Sequence, residues 1–276
     1  MNYFQYNFTV NPPEPGSDIL IALLADYGFE SFETNETGFI AYIPEEENST
    51  LDLSELIFND FNYTFESKKI EQVNWNEEWE KNFKPVIVSD DCVIRAPFHQ
   101  LSKHPKYDIV IMPKMSFGTG HHDTTWLVCK NMLDFDFKNK QVFDMGCGTG
   151  VLAILASKLG ATKIVGNDID DWSVENALEN CSTNSCPEIK IVKGDNDLFS
   201  PTNQYDIVLA NINKNVLKSY IPKIALTLKP GGFLFLSGFF KTDCEELIAL
   251  ASNHLLKLYK QEHKNEWAVI ILQKQA

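Results

Sequence analysis

The chain carries no lysine or arginine before Lys68, although thirteen Asp and Glu residues precede it. So one-sided an anionic stretch repels phosphate and argues against residues 1–67 as a nucleic-acid surface. It either attracts a basic partner over long range or keeps the chain soluble. The remaining 25 acidic residues are matched by 24 Lys and Arg, so the net charge of −14 resides almost wholly in the N-terminal quarter. Also missing is any C-x-x-C pair among Cys92, Cys129, Cys147, Cys181, Cys186 and Cys244. A structural zinc site is therefore not expected, and the thiols should be free and packed as small apolar groups. His121 and His122 are neighbours whose side chains point apart on any regular element, so they make no two-His metal site. No apolar run approaches the roughly 20 residues of a membrane helix. The opening MNYFQYNFTV lacks the basic and apolar regions of a secretory signal. No membrane role is expected, and the expected location is the cytoplasm.

The 276 residues are 44% hydrophobic and 22% charged, the composition of a globular protein with a true core. Residues 3–10 alternate as a strand, and Asn11-Pro12-Pro13 stops it. Ser17 or Asp18 is placed to cap the helical run IALLADY, which Gly28 ends. Extended stretches at 30–34 and 39–43 flank a turn at 35–38, and a polar loop covers 45–49. Leu53, Leu56 and Ile57 have the spacing of one helix face across residues 50–59, and 62–70 reads as a strand. The order β-α-β-β-α-β predicts a small ferredoxin-like domain over residues 1–70. With no catalytic constellation, it reads as a binding module.

Residues 71–84, containing NWNEEWEKNF, predict a short charged linker helix with Trp75 and Trp79 on one face. Short strands follow between Val86 and Met112. From Thr124 onward, helices and strands alternate to a final pair of strands, HLLKLYKQ and EWAVIILQ. Residues 85–276 therefore predict an α/β domain built on a mostly parallel sheet. One of the last two strands should run antiparallel at or near its edge.

Three motifs carry chemistry. VFDMGCGTGVLAI runs a buried strand into Gly146, Gly148 and Gly150 and directly into a helix. Glycine there lets backbone approach a ligand closely. The next strand ends at Asp168, 22 residues after Gly146, where an acid can accept hydrogen bonds from a ribose diol. G-x-G-x-G preceded by Asp144 differs from the dinucleotide pattern G-x-G-x-x-G, and the acid would repel a pyrophosphate while suiting a cationic ligand. It resembles the S-adenosylmethionine loop of Rossmann-like methyltransferases. The second motif, MPKMSFGTGHHDTT, is a small-residue loop able to place Phe117 against a ligand, with Asp123 or Thr124 as the cap of the following helix. The third, DIVLANINKNVL, ends a strand at Asn211, whose amide carbonyl can accept from an amine and aim its lone pair. Asn213 is read as a helix cap. Asp195, at the end of another strand, can reach an adenine amino group or stabilise a turn.

Taken in order, NWNEEWEKNFKP, MSFGTGHHDTT, DMGCGTGVLAI, NDID, ANIN and LKPGGFLFLSGF resemble the family of ribosomal protein L11 methyltransferases. The resemblance covers most of the chain and implies a Rossmann-like methyltransferase domain behind an N-terminal substrate-recognition domain. It further implies transfer of methyl groups from S-adenosylmethionine to lysine side chains and an N-terminal amine of that ribosomal protein, a basic stalk-base component of the large subunit. By position it assigns cofactor contacts to Thr125, Gly146, Gly148, Asp168 and Asn211, with Asn211 also catalytic. The chain departs from the family in having His121 and Asp123 where Thr and Pro are common, and a more polar Asn211–Leu217 segment. A methyltransferase of another substrate, or a non-catalytic assembly factor on the same fold, are the competing readings.

Overall fold

The computed structural model describes residues 2–53, 56–70, 80, 82–194 and 205–276. The predicted linker pair Trp75 and Trp79, and Asp195, lie outside the described residues. The chain divides into two compact units, Met1–Lys81 and Asn82–Ala276.

The first unit contains β1 (Tyr3–Asn11), α1 (Pro13–Asp26), β2 (Ser31–Asn35), β3 (Gly38–Pro44), α2 (Glu45–Asn48) and β4 (Asn62–Ile70). Its sheet order, β2-β3-β1-β4, with every neighbour antiparallel, is ferredoxin-like. Alternate residues of β1, Tyr6, Phe8 and Val10, turn inward onto Leu20 and Leu24 of α1 and onto Phe29, Phe39 and Phe61.

Two sequence expectations fail here. Helix α1, interrupted by the extended backbone of Glu14 near its start, begins ahead of the expected cap, so Ser17 is a buried helical residue. The expected helix over 50–59 is absent at 51–53 and 56–58, and the second helix is the single turn Glu45–Asn48. Leu53 is buried while Ile57 is 83% exposed, so these residues share no buried face despite their spacing. Instead the three consecutive acids Glu45, Glu46 and Glu47 occupy the first turn of α2, where the helix dipole favours them.

The second unit opens with a small sheet of β5 (Val86–Ser89), β6 (Cys92–Arg95) and β7 (Tyr107–Val110). Then follow α3 (Asp123–Met132), β8 (Gln141–Met145), α4 (Val151–Lys158), β9 (Lys163–Asp168), α5 (Asp171–Thr183) and β10 (Ile189–Lys193). The chain continues through β11 (Tyr205–Asn211), α6 (Lys214–Thr227), β12 (Leu228–Phe240), α7 (Cys244–Ser252), β13 (Leu256–Lys264) and β14 (Trp267–Lys274). The large sheet has the order β10-β9-β8-β11-β12-β14-β13. Its first five strands are parallel and β14 is reversed between β12 and β13, as the helix-free connection predicts.

Both faces of this sheet are covered, which explains its near-continuous apolar strands. Val142, Ile207, Leu209, Phe235, Val269 and Ile271 pack on one side with α3 and α4. Phe143, Val208, Ala210, Leu234, Leu236 and Ile270 pack on the other with α6 and α7. All six cysteines are free and buried. Burial pushes the Cys92 and Cys181 thiols up to about 12, which leaves them unreactive at neutral pH. Among the described residues no group of His, Cys, Asp or Glu is arranged to hold a metal, and no helix is long and apolar enough to cross a membrane.

Candidate active site

The carboxyl ends of β8, β9, β11 and β12 converge on one cavity of about 730 Å³ in the second unit, the position where open α/β sheets hold ligands. Its lining includes Phe117, Gly146, Gly148, Asp168, Asn211 and Trp267. Four of the five expected site residues thus meet in one place. The fifth, Thr125, is fully buried and is not a lining residue; its hydroxyl accepts a hydrogen bond from Asn211 Nδ2 at 3.2 Å.

The glycine turn is built by close backbone approach. Gly146 and Gly148 have φ of 66° and 53°, in the left-handed region that side chains resist. A Cβ on Gly148 would lie 2.2 Å from the Phe117 carbonyl oxygen. That approach lets the Thr149 backbone N–H donate to Phe117 O at 2.9 Å and the Thr149 hydroxyl donate to Gly118 O at 2.7 Å. The loop 116–120 is thereby clasped to the glycine turn.

Asp168 is held in place at the tip of β9. One carboxylate oxygen accepts from Gly148 N at 2.9 Å and the other from Asp170 N at 3.2 Å. Two backbone donors fix the carboxylate and leave further lone pairs for a ligand. Asp144 lies beneath the turn, fully buried. One of its oxygens accepts from Ala153 N at 3.1 Å, and the other has no partner among the described residues. Burial pushes its carboxyl up to about 7, opposed by the Ala153 hydrogen bond and assisted by the nearby charge of Asp168.

The loop before α3 departs from expectation at its cap. His122, rather than Asp123 or Thr124, caps α3, through Nδ1 accepting from Thr124 N at 3.3 Å. The His122 ring lies between Phe117 and Trp267, at centroid distances of 5.2 and 4.6 Å. Asp123 instead reaches the β13–β14 turn, pairing with Lys264 at 2.9 Å and accepting from Asn265 at 2.7 Å. Asn213 caps α6 as expected, accepting from Val216 N at 3.1 Å.

Sequence reading missed the supports on α5. Asn176, Asn180 and the C-cap residue Asn184 lie four apart along one side of α5. Asn180 donates to Thr149 O and accepts from Met112 N, each at 2.9 Å, and Asn184 accepts from Val110 N at 2.9 Å. One helix thus grips both the glycine turn and the chain leaving β7. The signal was present: three amides stood at helical spacing where a buried face should be apolar.

Among the described lining residues there is no lysine or arginine, whereas Asp168 and Asp170 both line the cavity. A pyrophosphate would find no countercharge there. Three lining residues also keep buried oxygens without partners among the described residues, Ser116 Oγ, Asn167 Oδ1 and Asn211 Oδ1, the kind of group that a polar ligand satisfies.

The sequence profile described as Ribosomal protein L11 methyltransferase (PrmA) matches residues 23–275. The chain belongs to this family. A family relative, the ribosomal protein L11 methyltransferase of Bacteroides fragilis, is 39% identical over 276 residues, covering 98% of this chain and 99% of that one. The relative of the same description from Porphyromonas gingivalis is 40% identical over 281 residues, covering 98% and 97%. The crystal structure of ribosomal protein L11 methylase from Lactobacillus delbrueckii subsp. bulgaricus matches with a TM-score of 0.64 at 25% identity, over 70% of this chain and 99% of that chain. Family membership makes the chain an S-adenosylmethionine-dependent protein methyltransferase. The described lining fits that cofactor: it has no lysine or arginine, carries an oriented carboxylate able to accept from hydroxyls, and retains unpartnered buried oxygens.

Proposed function

We propose that this protein methylates ribosomal protein L11 at amines, lysine side chains and the N-terminal amine among them, in the cytoplasm. The observation that carries this reading is the convergence of Asp168, the glycine turn and Asn211 on one cavity with no lysine or arginine among its described lining. In this reading Gly146 and Gly148 offer close backbone to the cofactor, Asp168 accepts from its ribose, and Thr125 belongs to the same wall through Asn211. Bound S-adenosylmethionine supplies a methyl group already activated by its sulfonium, so the protein must align the acceptor and exclude water.

An amine attacks only when neutral, and a lysine has an ordinary pKa near 10.4. Burial beside a cation lowers that value and enriches the neutral form. Asn211 then accepts one N–H of the amine through Oδ1, which has no partner among the described residues, and so directs the lone pair. His122 is poorly placed to take the proton. Its Nδ1 is occupied by Thr124, so the neutral ring carries hydrogen on Nε2 and presents a donor.

The N-terminal unit completes the proposal as the site that recruits the substrate. Residues 1–67 hold thirteen acids and no base, which favours a basic ribosomal protein over nucleic acid or a membrane surface. The test is mass spectrometry of purified L11 after incubation with the enzyme and S-adenosylmethionine. Added mass in steps of one methyl group on amines is the expected result, and unmodified L11 rejects the proposal.

A further inference from the structure

We infer that a cavity on the N-terminal unit, walled by Glu14, Ser17, Asp18 and Glu36, takes a lysine or arginine side chain of ribosomal protein L11. The inference rests on the recruitment role proposed above for this unit, and narrows it from an acidic surface to one pocket. The cavity, of about 790 Å³, lies where the start of α1 meets the turn between β2 and β3. Helix α1 contributes Glu14, Ser17 and Asp18 to its lining, and the turn contributes Glu36. All three acids are exposed, and no side chain among the described residues pairs with any of them. The helix dipole accounts for Glu14, in the first turn of α1. It does not account for Glu36, which stands on another element and adds a third like charge to the same concavity, where a bound cation relieves the repulsion.

Ser17 lies in the wall of this cavity without the capping role its sequence position suggests. It is inside α1, only 7% exposed, and its Oγ has no hydrogen-bond partner among the described residues. A buried hydroxyl without a partner costs stability, and alanine is the better helix residue. The fold alone therefore gains nothing from serine here. A cationic side chain does: Oγ can accept from an ammonium or guanidinium N–H while the three carboxylates supply the countercharge. An anion would find no countercharge in the described lining, since no lysine or arginine precedes Lys68.

The full-length enzyme tests this with three variants. E14Q/D18N/E36Q removes the charge of the pocket, D26N/E46Q/D60N removes the same charge from acids outside its lining, and S17A removes the hydroxyl. The Kd for purified L11 is read by fluorescence anisotropy, the Kd for S-adenosylmethionine by calorimetry, and stability by thermal unfolding. E14Q/D18N/E36Q should weaken L11 binding about tenfold, the scale of a few partly exposed ion pairs, and D26N/E46Q/D60N by less than about twofold, with cofactor Kd unchanged in both. S17A should raise the Tm yet weaken L11 binding about threefold, a split that a merely structural serine does not produce. Equal losses from the two charge variants would overturn the inference, because diffuse attraction by the acidic unit gives that pattern. Unchanged L11 binding in E14Q/D18N/E36Q or in S17A also overturns it, as does an S17A that loses Tm and affinity together. If wild type binds L11 with the expected dependence yet leaves it unmethylated, the inference stands and the methylation reading fails. If wild type does not bind L11, both fail.

Discussion

Asp144 gives the sharpest energetic prediction. Its carboxyl is fully buried, holds one hydrogen bond from Ala153 N and is pushed from 3.8 to about 7. A raised carboxyl pKa means that the native state binds the proton more tightly than the unfolded chain. Ionisation therefore costs stability as pH rises between those two values, and the cost is absent below about 4 and complete above about 7. At 1.36 kcal/mol per pKa unit, the full penalty is on the order of 4 kcal/mol. D144N keeps the shape and removes the charge. Without cofactor, the variant should be more stable than wild type at pH 8, and its advantage should shrink by about 2–3 kcal/mol at pH 5. For a unit of this size that corresponds to a change of roughly 5–10 °C in the Tm difference. Thermal unfolding of both proteins at the two pH values reads it directly. A Tm difference that is constant from pH 5 to 8, or that narrows as pH rises, refutes the account of a buried carboxyl whose pKa is raised by desolvation.

Three further outcomes follow from the same geometry. N211A should lower kcat by about tenfold or more, on the scale of a lost positioning contact, while its cofactor Kd by calorimetry changes little; equal losses in both would contradict the acceptor role. G148A should lose about 1–2 kcal/mol from the left-handed backbone alone and more from collision with Phe117 O, seen as a reduced urea midpoint; wild-type stability would mean that the clasp to loop 116–120 is slack. A chain lacking residues up to about Asn74 should bind S-adenosylmethionine normally yet fail to methylate L11, and the KM of the intact enzyme for L11 should rise with salt; full activity in the shortened chain would reject recruitment by the acidic unit.

Much of the fold was legible because its causes are local. The alternation of β8 to β12 with their helices follows from apolar periodicity, and the strand-to-glycine-to-helix run at 142–154 follows from backbone that only glycine adopts easily. Legibility failed where one pattern serves two structures. Leu53, Leu56 and Ile57 fit a helix face in sequence, yet Leu53 is buried and Ile57 exposed. The cap on α3 was missed because histidine is an uncommon cap, and its ring found the role only by packing between Phe117 and Trp267. Within the site, strand-end positions singled out Gly146, Gly148, Asp168 and Asn211. The contact of Thr125 with Asn211 depends on tertiary packing between distant segments, which no local pattern encodes.

The spacing around the glycine turn also bears on how mutational data here should be read. A methyl group at Gly148 would strike a carbonyl of the neighbouring loop, and one at Gly146 would strike Ile212 Cγ2 at 2.5 Å. Both obstacles are parts of the protein itself. Alanine at either position therefore damages the vessel before any guest arrives, so lost affinity in such variants measures architecture rather than recognition. Substitutions at Asp168 carry part of the same ambiguity, because its carboxylate also anchors the backbone N–H of Gly148.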